Sequence, residues 1–300
     1  MKKIRFYQVD AFTHQKFKGN PAGVVPEADG LSEDQMQEIA REMNNSETAF
    51  MLSPDASDHD VRVRFFTPLT EVPSCGHATI AAHYVYAMEK GLHNCTVVQK
   101  IGAGILPVEI QNHRYDYKMF MTQGKISFFE PFAGEIENKI LKSLDLDPEQ
   151  REPRCPMQIV STGHSKIIIG IRNRSVLNAL QPNMSELADI SQSIQCNGYF
   201  VFTFDSDSKD ILTHGRMFAP SIGINEDPVT GNANGPLGAY IVKHQLRPTL
   251  YDSFSFRGKQ GEAMGRPGVV DVNVKIVNQA PVSVNVGGQA VILFQTEIEI

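Results

Sequence analysis

The stretch EVPSCGHAT, Glu71 to Thr79, returns later in the chain as EDPVTGNANG, Glu226 to Gly235. Both read E-x-P-x-x-G-[H/N]-A, and both lead into an apolar segment. The likeness extends upstream, where Arg64-Phe65-Phe66-Thr67-Pro68 precedes the first copy and Arg216-Met217-Phe218-Ala219-Pro220 the second. Further back, LSEDQMQEIAREMNNSETAFML (Leu31 to Leu52) matches MSELADISQSIQCNGYFVF (Met184 to Phe202) in pattern. Each has a polar start, an amphipathic stretch, a polar turn and a short apolar run. One design is written twice.

Local signals give that design a shape. Ser32 with Gln35 three residues on makes a capping box. Met36, Ile39, Ala40 and Met43 then follow at helical spacing, and in the second copy Leu187, Ile190 and Ile194 hold the same face. After each glycine motif comes a second helix. Ala78 to Lys90 is stopped by Gly91, and the other runs from Pro236, a good first-turn residue, to about His244. IAAHYVYA and LGAYIV are apolar on most sides, so each is expected at the centre of its half. Lys3–Phe12, Ala22–Val25, Tyr115–Met121, Met157–Ser161, Lys166–Ile171, Val269–Val277 and Val282–Val286 read as strands. The expectation is an α+β fold of two pseudo-symmetric halves. Residues 1–125 with 288–300 form the first, 126–156 an acidic, proline-rich connector, and 157–287 the second. The strand Gln289 to Glu297 crosses back to complete the first half.

A glycine and a short polar residue before a buried helix leave backbone N–H groups at its N-terminus, where partial positive charge favours a carboxylate or phosphate. Two copies would bring two such termini to one cleft, the place for a small anionic ligand. Titratable groups there are few. Glu47, in NNSETAF beside Ser46, has no acidic counterpart in the second copy, which reads Asn197-Gly198. A carboxylate in only one of two matched halves is what an asymmetric catalytic role leaves. His77 and Asp227 flank the two glycines, Gly76 and Gly231, and can each donate to or accept from a ligand.

Composition excludes several alternatives. The net charge of -6 and the absence of a long Lys/Arg run argue against a nucleic-acid surface. No stretch has the apolar length of a membrane span, and the start has no signal-peptide core, so a cytoplasmic protein is expected. Cys75, Cys95, Cys155 and Cys196 make no CxxC pair, and the histidines show no HxH or HxxxH spacing. No metal is expected, and no GxGxxG, GxxxxGK[ST] or GxSxG motif calls for a nucleotide cofactor or a serine nucleophile. What is left is acid–base chemistry without a cofactor.

VDAFTxxxFxGNPAGVV (Val9 to Val25), NNSETAFM (Asn44 to Met51), RFFTPxxEVPSCGHAT (Arg64 to Thr79) and EDPVTGNANGPLGAY (Glu226 to Tyr240) together resemble the PhzF family of phenazine-biosynthesis-like proteins. That resemblance implies the diaminopimelate-epimerase-like fold, each half a barrel-like mixed sheet wrapped around a central helix. It implies Glu47 as the acid–base group, with His77 and Asp227 assisting. The amides after Gly76 and Gly231 would hold a substrate carboxylate, with Asn20, Ser46, Cys75 and Asn232 lining the same place. It also implies a homodimer with a small carboxylate as its partner. Epimerases of this fold use one cysteine per half, whereas this chain has Cys75 in the first and Thr230 in the second. A threonine hydroxyl is too weak a base for that work. The leading expectation is thus a cofactor-independent isomerase of a small, cyclic or unsaturated carboxylic acid. The alternatives are an amino-acid racemase or epimerase using Cys75, and a small-acid-binding protein without chemistry.

Overall fold

A computed structural model describes residues 2–113, 116–249 and 251–300, and the chain divides into two compact units, Met1–Thr122 with Gly287–Ile300 and Gln123–Val286. Met1, Arg114, Tyr115 and Leu250 lie outside the described residues, so the expected strand is seen only from Asp116 onward.

The first unit contains β1 (Lys3–Ala11), β2 (Asn20–Val25), α1 (Glu33–Met43), β3 (Thr48–Leu52), β4 (Val61–Phe66), β5 (Glu71–Val72), α2 (Gly76–Lys90), β6 (Cys95–Ile101), β7 (Gly104–His113) and β8 (Asp116–Thr122). Its strands pair in the succession β1, β2, β3, β4, β6, β7, β8. A long final strand, Ala280–Glu299, pairs with both β8 and β1 and closes the ring. A closed ring leaves no unpaired edge. Helix α2 packs against β1, β2, β3, β7 and β8, and Ala78, Ile80, Ala81, Ala82, Val85 and Ala87 are buried along it. Burying a side chain such as Ile80 or Val85 contributes roughly 1.5–3 kcal/mol. The amphipathic α1 lies outside the ring with Met36, Ile39 and Ala40 inward. Both arms of its capping box form: Ser32 Oγ accepts from Gln35 N–H at 3.2 Å and Gln35 Oε1 from Ser32 N–H at 3.0 Å. Gly91 ends α2 in the left-handed region, at φ 59°.

The second unit contains β9 (Ile126–Phe128), α3 (Glu135–Ser143), β10 (Gln158–Thr162), β11 (Ser165–Ile171), α4 (Arg174–Ala179), α5 (Met184–Ile194), β12 (Tyr199–Thr203), β13 (Thr213–Ala219), β14 (Ile224–Asp227), α6 (Gly231–Lys243), β15 (Ser253–Gln260), β16 (Gly268–Val277) and the start of β17 (Ala280–Glu299). The strands pair β9, β10, β11, β12, β13, β15, β16, with β14 beside β13. Gln123 donates its N–H to Val284 C=O at 2.8 Å, joining the start of β17 to the segment leading into β9. Helix α6 packs against β10, β11, β15 and β16, as α2 does in its own ring.

Two details differ from the sequence expectation. Helix α6 begins at Gly231 rather than at Pro236, and its regular geometry breaks at Asn232 (φ -78°, ψ 16°). Pro236 has no N–H to offer the carbonyl of Asn232 one turn back, so the break falls where no hydrogen bond is lost. Residues 126–156, expected as a connector, carry β9 and α3 and lie within the second unit. Ile140, Leu141, Leu144 and Leu146 belong to its hydrophobic core, with Leu177, Leu187 and Tyr199. The two acidic residues of α3 lie in its first turn, Glu135 exposed and Glu137 paired with Arg151.

Candidate active site

The Glu of each repeated motif has a defined partner. Glu71 takes a bidentate fork from Arg64 (Nε to Oε1 2.7 Å, Nη2 to Oε2 2.6 Å) and Glu226 takes the same fork from Arg216 (2.9 and 2.8 Å). The Glu71 fork is the main reason the Arg64 guanidinium is held above its ordinary pKa. Each arginine also stands over a phenylalanine two residues on, at 5.1 Å from the Phe66 ring centre and 5.0 Å for Phe218. In both units this fork ties the strand entering the motif to the one leaving it, so the chain arrives at the next helix in a fixed direction. Arg216 is the more buried of the two and also donates to the Leu177 and Leu180 carbonyls.

Both central helices open without the usual neutralising groups. Cys75 and Thr230 occupy the caps of α2 and α6 in extended conformation, neither making a side-chain cap bond, and neither helix has an acid in its first turn. The peripheral α1 and α5 are capped by Ser32 and Asn183 and carry acids there. The positive ends of α2 and α6 favour a nearby anion, and at α6 the Asp227 carboxylate stands beside the cap residue Thr230. At Gly76 an added Cβ would meet nothing within 4 Å, so packing does not demand this glycine.

Glu47 is placed by the turn between α1 and β3. Asn44 ends α1 in the left-handed region (φ 51°), and the Asn45 amide exchanges two hydrogen bonds with Gln8 (2.8 and 2.9 Å). Glu47 C=O then accepts from Gly23 N–H at 3.2 Å. A side chain at Gly23 would strike Thr48 Oγ1 and the Phe6 ring, so β2 and β3 approach this closely only with glycine there. Asn20, buried, starts the same strand opposite Ala11.

The Glu47 carboxylate, 15% exposed, lies 3.3 Å (Oε2) from Nε2 of His77, which is 9% exposed. Ser46 Oγ lies 3.1 Å from the same nitrogen, and Cys75 Sγ is 3.4 Å from Nδ1 on the other edge of the ring. Ser46, Glu47, Cys75, Gly76 and His77 are thus brought together from two elements. A carboxylate and an imidazole in hydrogen-bond reach, largely shielded from water, can exchange a proton and hand it to a third group. His83, two turns along α2, is fully buried, and burial pushes it down to about 4, so it stays neutral.

In the second unit the Thr230 hydroxyl donates to the Asp227 carboxylate. Gln260 organises both. Its Oε1 accepts from Thr230 N–H (3.1 Å) and Asn234 Nδ2 (3.1 Å), and its Nε2 donates to Asp227 C=O (2.8 Å) and Thr230 Oγ1 (3.1 Å). Asn234 Nδ2 also donates to Thr230 C=O at 3.0 Å. Gln260 and Asn234 are both 1% exposed, and neither stood out in the sequence. A signal existed: Gln260 occupies the inward register of β15 after Phe254 and Phe256, where an apolar residue is the rule. Gly231 C=O accepts from Gln123 Nε2 at 3.1 Å, and Asn232 Oδ1 is enclosed without a hydrogen-bond partner.

Comparison with known proteins agrees with this architecture. The model of the family described as "Phenazine biosynthesis-like protein" matches residues 9–296. An uncharacterised isomerase of Clostridium acetobutylicum is 54% identical over 300 residues, covering 99% of each chain. The uncharacterised isomerase YddE of Escherichia coli is 48% identical over 295 residues, 98% of each chain. The trans-2,3-dihydro-3-hydroxyanthranilate isomerase of Pseudomonas aeruginosa is 29% identical over 264 residues, 88% of this chain and 87% of its own. Among solved structures, a PhzF-family protein of Bacillus anthracis superposes over the full length of both chains with a TM-score of 0.90 at 31% identity. A hydroxyproline epimerase of Agrobacterium vitis shares the fold, with a TM-score of 0.60 at 13% identity over 99% of this chain and 92% of its own.

Proposed function

Because the chain belongs to the phenazine biosynthesis-like family, we propose that it is a cofactor-independent isomerase that moves a proton on a small carboxylate-bearing metabolite, with Glu47 as the acid–base group. The observation that carries this reading is the shielded contact of Glu47 with His77 at 3.3 Å, beside the uncapped start of α2. Glu47 takes a proton from a carbon made acidic by conjugation and returns it at a second carbon of the same framework. His77 shares the proton through Nε2, with Ser46 fixing the ring, and the α2 amides hold the substrate carboxylate and the charge that develops as the proton leaves. Asn20 belongs to the same proposed set of substrate contacts, and Asp227, Gly231 and Asn232 are proposed as substrate contacts of the second half. A homodimer in the cytoplasm belongs to the same proposal; among the described residues no helix is long and apolar enough to cross a membrane.

The substrate class follows the relative that acts on trans-2,3-dihydro-3-hydroxyanthranilate, an unsaturated cyclic amino acid whose conjugated ring makes a carbon-bound proton acidic. In heavy water, wild-type protein given cyclic unsaturated carboxylic acids of this kind incorporates deuterium at the migrating position. Glu47→Gln reduces incorporation by about 10²–10⁴-fold, the usual worth of a general acid–base group. A glutamine variant with full turnover would refute the assignment.

An amino-acid racemase working through Cys75 is the second reading, supported by the 3.4 Å approach of its sulfur to His77 Nδ1. It lacks a matching base at Thr230, whose hydroxyl donates to Asp227.

A further inference from the structure

Glu47, Cys75 and His77 each offer one ligand atom, and these atoms lie within 4.8 Å of one another. We propose that these three side chains bind a thiophilic divalent cation of the zinc class, and that its binding blocks the acid–base chemistry assigned above; the second half of this statement rests on that assignment.

The donor set is thiolate, imidazole and carboxylate, the three ligand types zinc uses in proteins. Bonds of about 2.3 Å to sulfur and about 2.0 Å to nitrogen or oxygen make the edges of a tetrahedral zinc site about 3.3–3.5 Å long. The Cys75 Sγ to His77 Nδ1 separation of 3.4 Å already has that length. The Glu47 carboxylate now sits beside the opposite ring nitrogen, Nε2. A cation can take only one nitrogen of a ring, so the carboxylate must swing from Nε2 towards the Cys75 edge, starting from no more than 4.8 Å. The side chain of Glu47 has the rotatable bonds to do this without moving β3. The cap position of Cys75 at the start of α2 favours the negative charge that a metal-bound thiolate carries.

With the cation in place, all three donors are taken. Coordination to the cation lowers the basicity of the Glu47 carboxylate that would accept the proton, and its contact with His77 Nε2 is broken. The bound state is therefore inactive whatever the substrate. The other thiols are poor competitors: Cys155 and Cys196 are enclosed, and burial pushes them up to about 12 and about 11. Cys95 is half-buried and serves as the control.

Cobalt(II) is the direct probe, because a cobalt–thiolate bond gives an intense near-ultraviolet band. The full-length wild-type protein, titrated with cobalt(II), should develop this band at one ion per chain, and zinc(II) should remove it by displacement. Cys75→Ser, which puts a good capping residue in place of the thiol, should abolish the band while melting as wild type does. Cys95→Ser should keep it, and His77→Ala should weaken cobalt binding by at least about tenfold. No band, or a band that survives in Cys75→Ser, overturns the site. The blocking claim has its own readout: one equivalent of zinc(II) should stop deuterium uptake by wild type, and a chelator should restore it. Undiminished uptake with the cation bound overturns the block and leaves the Glu47 assignment standing. Cobalt binding needs no turnover, so the site stands or falls even where the isomerase reading fails.

Discussion

At Gly76 the space over the helix start is open: a methyl group there would touch no other part of the protein within 4 Å. Glycine at the first turn of a helix is a cost to stability, because alanine loses less conformational freedom on folding. Gly76→Ala should therefore leave thermal stability unchanged or raise it by up to about 1 kcal/mol. The same methyl should raise KM or the inhibition constant for carboxylate ligands about tenfold or more, since an interaction of about 1.4 kcal/mol is lost when the ligand cannot reach the amides. Melting curves and ligand titrations on one preparation check both halves, and a loss of stability without a change in binding would show that Gly76 serves packing. Glu47 is also read at this scale. Its lack of an acidic counterpart at Asn197-Gly198 made it visible in the sequence, whereas its partner in space, His77 Nε2, depends on how β3 and α2 meet.

Among elements, the hairpins held by the two arginine forks give a paired experiment. Both forks have the same geometry, but the side chains of Arg216 and Glu226 are 9% and 14% exposed while those of Arg64 and Glu71 are 29% and 38% exposed. Removing one partner from a buried pair leaves an uncompensated charge and costs about 3–5 kcal/mol, whereas an exposed pair contributes about 1 kcal/mol or less. Glu226→Ala should thus destabilise by about 3 kcal/mol or more and Glu71→Ala by about 1 kcal/mol or less, measured by denaturant unfolding. Equal losses would mean that burial does not set the difference. Helix α1 was legible because its capping box and apolar spacing are local. The start of α6 was not, because Pro236 looks like a first-turn residue, whereas the helix begins at Gly231 and breaks at Asn232, whose carbonyl Pro236 cannot serve. Helix α3 was hidden by composition: Ile136, Ile140, Leu141 and Leu144 keep helical spacing inside an acidic, proline-rich stretch. Gln260 escaped because its four hydrogen bonds go to residues far along the chain.

For the whole molecule, the duplicated motif was enough to foresee two halves, each built around a buried helix, since a repeat in matching contexts constrains topology more than any single motif. It could not reveal which side chains meet, as with Glu47, Cys75 and His77, whose ligand spacing is invisible one element at a time. Stability against acid also belongs at this scale. His214 Nδ1 hydrogen-bonds Glu262 at 2.5 Å, with Lys259 at 2.8 Å, and this bond holds the Glu262 carboxyl down at about 2 against an ordinary 4.5. A depressed carboxyl stabilises the fold fully above its unfolded value, and that stabilisation is lost as pH falls from about 4.5 through about 2. Wild type should lose up to roughly 3 kcal/mol over that window beyond what Glu262→Gln loses; parallel unfolding curves for the two proteins would expose the mistake. The central claim concerns Glu47, and deuterium uptake in heavy water tests it most directly. With a cyclic unsaturated carboxylic acid as substrate, wild type and Cys75→Ser should both incorporate deuterium, and Glu47→Gln should fall by about 10²-fold or more. Uptake that survives in Glu47→Gln and vanishes in Cys75→Ser would contradict the account and make the thiol the base.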